Sequence, residues 1–114
     1  MLDAMYFDDW QTNIRYKDAI ISNWLLWDFD LNRMDWQGMR AIVVQRVVER
    51  GGESDFYAAI KKYGGLDKFR DIIKNEVAYL SNRDMDFVCL LFGLKKTDLR
   101  CYIRKQLREK HLNS

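Results

Sequence analysis

The chain has 114 residues, 48% of them hydrophobic, with no proline and a formal net charge of +2. A chain of this length folds as one domain that buries roughly two thirds of its unfolded surface. No apolar run approaches the ~18 residues that a membrane span needs, which excludes a membrane partner of that kind.

The small net charge hides an asymmetry: residues 1–60 carry ten acids and six bases, and residues 61–114 carry seven acids and thirteen bases. A basic end suits an anionic partner, and complementary ends also attract one another within a fold or across a homodimer. The opening "MLDAMYFDDW" has no positive n-region, long apolar stretch or small-residue cleavage site, so a cytoplasmic location is expected. Cys89 and Cys101 are the only cysteines, and they are expected to pack as small apolar side chains rather than to form a disulfide.

Residues 1–16 show no firm period and are expected to form an N-terminal arm or irregular segment, ahead of a single helical domain over 17–114. The stretch from Lys17 to Trp27 is read as the first helix. Asp35 stands at an N-cap position before a helix from Trp36 to Arg50, on which Trp36, Met39, Val43 and Val47 recur at helical spacing and which Gly51 and Gly52 close. The run "AIVVQRVV" has strand propensity, but its apolar residues do not alternate; they trace a helical stripe.

Ser54 is expected to cap a short helix bearing Phe56, Ala59, Ile60 and Tyr63, stopped by Gly64 and Gly65. An amphipathic helix follows, with Leu66, Phe69, Ile73, Val77 and Leu80 on one side. Ser81 and Asp84 resemble a capping box for a helix that ends at Gly93. The last helix begins after Thr97, with Leu99, Tyr102, Ile103 and Leu107 as its apolar face and Arg100, Arg104 and Arg108 in line nearly opposite. The expected fold is therefore all-α: a single compact domain of five or six short helices.

Candidate chemistry centres first on "WDFDLNRMDW". Asp28, Asp30 and Asn32 match the first ligand positions of a calcium loop, but Arg33 replaces its turn glycine and Met39 its closing glutamate. Trp24, Trp27 and Trp36 supply an apolar wall for paired carboxylates, yet nothing else marks a substrate pocket. Asp30 or Asp35 acting as a helix cap accounts for the pattern more simply.

His111 is the single histidine, and the Cys89–Cys101 spacing is not that of a metal site. The stretch "YGGL" lacks the lysine and hydroxyl of a phosphate loop. No enzyme signature, cofactor motif or metal ligand set is present. The aromatic, acidic region around Trp24, Trp27, Asp28, Asp30 and Trp36 is a candidate partner-binding surface.

The segment "DMDFVCLLFGLKKTDLRCYI" resembles a DNA-binding helix-turn-helix. Cys89 precedes the turn glycine Gly93 by four, and Val88, Phe92, Leu94, Leu99 and Tyr102 fall on the apolar places; Cys89 stands where alanine is usual. The resemblance implies a recognition helix from Thr97 onward, with Lys95, Lys96, Thr97 and Arg100 facing the groove. Arg104, Lys105 and Arg108 then extend a stripe suited to phosphate.

From Trp24 to about Arg104 the chain also resembles a family of small bacterial proteins without a settled biochemical function, through "LWDFD", "MDW", "RVVERGG", "KYGG", "YLSNRDMDF" and "LFGL". Members are often encoded beside nucleotidyltransferase-type toxins of abortive-infection systems. This resemblance implies a non-enzymatic regulator of antitoxin type that binds DNA through its C-terminal helix-turn-helix-like half. The alternative is a module that docks a toxin through the aromatic, acidic region and does not bind nucleic acid.

Overall fold

The structure is a computed structural model that describes residues 6–112. Its central element is the valine-rich run, which is helix α1, Arg40–Arg50. Val43, Val44, Val47 and Val48 sit on one face and are buried, each worth about 1.5–3 kcal/mol relative to exposure. Tertiary burial of that stripe outweighs the strand preference of the β-branched residues.

Four more helices follow: α2, Glu53–Lys62; α3, Leu66–Asn75; α4, Asn82–Phe92; and α5, Arg100–Leu112. Short 3-10 turns occupy Ile14–Tyr16, Asn23–Leu26, Leu31–Arg33 and Lys96–Asp98, and no strand occurs among the described residues. The all-α, single-domain expectation therefore holds. Helix α1 packs on α2, α3, α4 and the Asn23–Leu26 turn, while α5 packs on α3.

Local chemistry sets several helix ends. Ser81 Oγ accepts the Asp84 N–H at 3.1 Å, which is the anticipated cap of α4. Gly93 ends α4 in the left-handed region, φ 64°, and the Leu94 N–H reaches back to the Cys89 carbonyl at 3.0 Å.

Other ends differ from the sequence reading, some through partners distant in sequence and some through a competing local cap. Lys17–Trp27 is not a continuous helix; only Asn23–Leu26 coils, as a 3-10 turn. Upstream, the Lys61 amine donates to the Tyr16 and Lys17 carbonyls at 2.7 and 3.0 Å, and the Ser22 N–H is taken by Asp55 at 2.8 Å. These groups are satisfied from outside, so a local helical ladder is not required.

Helix α1 begins at Arg40 rather than Trp36, because Asp35 caps a turn first: its carboxylate accepts the Gly38 N–H at 2.9 Å. Helix α2 is capped at Gly52, not Ser54, since the Asp55 carboxylate reaches back to the Gly52 N–H at 3.0 Å. Helix α3 ends at Asn75, five residues short of Leu80. There the Ile72 carbonyl takes both the Glu76 and Val77 N–H groups, and Arg40 binds Glu76 at 2.7 Å. Val77 and Leu80 still reach the core, but from extended chain.

Residues 1–5 of the expected arm lie outside the described residues. From Tyr6 onward the segment lies against the domain. Phe7 adopts φ 71°, a left-handed conformation costing about 1–2 kcal/mol in an L-residue. Its ring is buried against Phe56, Tyr57 and Phe92 at centroid distances of 5.3, 5.1 and 5.9 Å, which offsets that strain. The Tyr57 hydroxyl donates to Asp9 at 2.6 Å, and burial together with this bond pushes the Tyr57 pKa up to about 12.

Candidate functional site

The three aspartates of "WDFDLNRMDW" go to three separate partners. Asp28 is gripped by the fork of Arg46, with Nη2 to Oδ2 at 2.8 Å and the second bond from Nη1 to Oδ1. Asp30 caps the Leu31–Arg33 turn by accepting the Asn32 N–H at 3.0 Å. Asp35 holds the turn into α1. They form no common site, and among the described residues no group of three or more His, Cys, Asp or Glu side chains is arranged to hold a metal ion.

Arg46 organises this corner. Besides Asp28 it donates to the Leu25 carbonyl at 3.1 Å, and its guanidinium lies 4.9 Å from the Phe29 ring centroid. The bidentate hydrogen bond from Arg46 holds the Asp28 carboxyl below its usual range, and Asp28 in turn raises the Arg46 guanidinium. The stretches "LWDFD" and "RVVERGG" thus meet in space, and the clamp fixes the segment that carries Trp24 and Trp27.

Those two tryptophans are exposed, 57% and 78%, and flank a groove of about 350 Å³ whose other wall is Gln45, Arg46, Glu49 and Arg50 of α1. Gln45 donates to Glu49 at 3.3 Å across one helical turn. Neither Glu49 nor Arg50 is in an ion pair among the described residues.

Trp36 lies elsewhere: it is half-buried, lies 4.2 Å from the Lys62 amine, and lines a different cleft with Ala19, Ile20 and Lys61. The expected partner surface therefore divides. Trp24, Trp27 and Asp28 belong to one corner, and Trp36 and Asp30 do not join them. The α1 wall of the groove was missed in the sequence. Its only signal there was the i, i+4 pairing of Gln45 with Glu49 and Arg46 with Arg50, and nothing local links those pairs to the tryptophans.

The basic end of the chain has a second geometry. Leu99 and Cys101 are buried, Tyr102 and Lys105 are partly covered, and beyond Lys105 the side chains described on α5 stand in solvent. Arg100, Arg104 and Arg108 are exposed along the outer face. Arg100 donates to the Asn75 carbonyl at 3.3 Å, while the guanidinium groups of Arg104 and Arg108 form no ion pair or hydrogen bond among the described residues. Ile103 and Leu107, expected in the core, are 47% and 63% exposed.

Of the remaining expected contacts, Lys96 and Lys105 are engaged within the fold. Lys96 pairs with Asp86 at 2.8 Å, which raises the Lys96 pKa, and Lys105 donates to Asn82 at 2.8 Å. Lys95 and Thr97 are exposed, but they belong to the approach turn: the Lys95 N–H is bonded to Asp98 at 2.9 Å, and α5 starts only at Arg100. The connector between α4 and α5, residues 93–99, is longer than the three- or four-residue turn of a tight helix pair.

Cys89 and Cys101 are free thiols whose pKa values are raised chiefly by burial, which disfavours the reactive thiolate. No helix among the described residues is long and apolar enough to cross a membrane.

Residues 21–73 match the model of a family described as a family of unknown function (DUF6922). The matched span contains the tryptophan groove and the Asp28–Arg46 clamp and stops before α4 and α5. No curated protein and no solved structure matches the chain.

Proposed function

We propose that this chain is a non-enzymatic bacterial regulator of antitoxin type that contacts DNA through α5. The observation that carries the DNA reading is the ridge of Arg100, Arg104 and Arg108, presented to solvent at one-turn intervals with no carboxylate paired to it among the described residues. The antitoxin class comes from the family resemblance in the sequence.

Guanidinium groups four residues apart on a helix are about 6 Å apart along its axis, so the ridge spans about 12 Å. Phosphates recur every ~3.4 Å of duplex axis on each strand, so the ridge has up to three phosphates within reach. Lys96 and Lys105 add to it only by leaving Asp86 and Asn82, and exposed pairs of this kind are worth little. The N-terminal residues that a recognition helix would aim at base edges are held in the approach turn. Backbone contact is therefore the favoured mode, and strong sequence preference is not expected from α5.

A toxin-docking module without nucleic-acid binding is less well supported. Its acidic, aromatic surface has lost Asp28 to Arg46, and Asp30 and Trp36 lie away from the exposed tryptophans.

Fluorescence anisotropy of a labelled duplex, titrated with the full chain at 50 to 200 mM salt, tests the proposal. Three phosphate contacts predict a slope of about −2.7 in log affinity against log salt, a loss of about 40-fold over that range. Absence of binding at 50 mM salt, or binding indifferent to salt, overturns it.

A further inference from the structure

We propose that the Trp24–Trp27 groove is a binding site for a nucleobase carrying a phosphate, with a guanine-type edge facing Glu49. The proposal does not depend on the α5 ridge, which lies on a different element.

Geometry comes first. Trp24 lies in the Asn23–Leu26 3-10 turn and Trp27 is its C-cap. A 3-10 helix repeats every three residues, so Trp24 and Trp27 leave the turn on the same side. Exposed indole faces are stacking platforms for a planar base, whatever its sequence identity. Both indoles border the same groove, and neither is consumed in the core.

The chemistry of the wall narrows the ligand. Arg46 spends three of its five N–H donors on Asp28 and the Leu25 carbonyl, so its charge is already matched by a carboxylate and its main part in the site is to hold the wall in place. Glu49 receives the Gln45 amide on one lone pair of Oε2, so Oε1 and the second lone pair of Oε2 can accept a pair of ligand donors. A ring with adjacent imino and amino donors satisfies that carboxylate, as guanine does on its pairing edge. Arg50, exposed and outside any ion pair among the described residues, is placed for an anionic tail.

A groove of about 350 Å³ is at the small end of ligand sites, which run from ~300 to ~1,000 Å³. It is sized for one ring and its substituents rather than for the extended surface of a folded protein partner. The same chemistry arises in a free nucleotide and in an unpaired base of a single strand.

Intrinsic tryptophan fluorescence of the full chain, with calorimetry in parallel, tests the site against GMP, AMP, guanosine, and single-stranded and duplex decamers. Saturable quenching by GMP is expected, tighter than by AMP, whose pairing edge presents an acceptor where guanine presents a donor. Trp27→Ala weakens GMP binding at least tenfold. Because Trp27 is exposed, this variant keeps its circular dichroism spectrum.

Glu49→Gln removes the preference for GMP over AMP, and Arg50→Gln weakens GMP but not guanosine. A guanine-containing single strand that binds more tightly than GMP identifies the strand as the source; equal affinity identifies the free nucleotide. No saturation by millimolar GMP, equal binding by wild type and Trp27→Ala, or occupation of the groove only by an apolar or proline-rich peptide overturns the proposal. The alanine variant of Arg104 and Arg108 keeps full GMP binding, so failure of the groove and failure of the ridge are told apart.

Discussion

Removing the Asp55 carboxylate is predicted to destabilise the domain more than loss of an ordinary cap. Asp55 is 4% exposed, and its two oxygens accept the Ser22 N–H at 2.8 Å and the Gly52 N–H at 3.0 Å. Asp55→Ala leaves both backbone donors without their acceptor. An unsatisfied buried donor costs about 1–3 kcal/mol, and a lost cap about 0.5–2 kcal/mol.

The two donors share one acceptor and are not additive, so a total of about 3 kcal/mol is expected. Against a global stability of roughly 6–17 kcal/mol for a chain of this length, that is a substantial fraction. At about 4 °C per kcal/mol the midpoint falls by about 12 °C. Asp55→Asn keeps one acceptor oxygen and is expected to lose about half as much.

Urea denaturation followed by circular dichroism measures the change, and it should appear as a lower midpoint at unchanged slope. A loss below about 1 kcal/mol for Asp55→Ala would refute the double-acceptor account. The same contact starts the turn that carries Trp24, so this variant should also show altered tryptophan emission in its native state.

Phe92 is fully buried among Phe7, Phe56 and Phe69, and Phe92→Ala is expected to cost about 3–5 kcal/mol in urea unfolding. Gly93→Ala meets no atom within 4 Å of the new Cβ, so only its φ of +64° opposes it, and a loss of about 1–2 kcal/mol without loss of helicity is expected.

Asp28 has a depressed folded pKa, so its contribution is complete above the unfolded value near 3.9 and disappears as pH falls through the folded value. The stability gap between wild type and Asp28→Asn should therefore be widest above about pH 4 and close on further acidification. A gap independent of pH contradicts a charge-based clamp.

Much of what is set within one turn of chain was legible in the sequence. Ser81 with Asp84 marks the start of α4, Gly93 marks its end, and the valine stripe of α1 shows its period. Asp30 and Asp35 do act as turn caps. The starts of α1 and α2 were misread because local caps by Asp35 and Asp55 competed with the ones chosen, whereas the other misread boundaries depend on partners distant in sequence. Lys61 and Asp55 satisfy the backbone of residues 16–22, and Arg40 with Glu76 stands at the end of α3, so no local pattern records them.

The i, i+4, i+8 arginines foretold an outward ridge. The exposure of Ile103 and Leu107 did not follow from spacing, because it depends on which parts of α5 other elements cover. The tryptophan groove was legible only in half. Trp24 and Trp27 stood out, while Glu49 and Arg50 meet them only through the Asp28–Arg46 clamp.

The most direct test of the central claim compares the salt dependence of duplex binding in wild type and in the chain carrying Arg104→Ala and Arg108→Ala. With two of three phosphate contacts removed, the slope should fall from about −2.7 to about −0.9, and the loss between 50 and 200 mM salt from about 40-fold to about fourfold. Equal slopes in the two proteins, with helicity retained, would contradict the assignment of α5 as the DNA-contacting element.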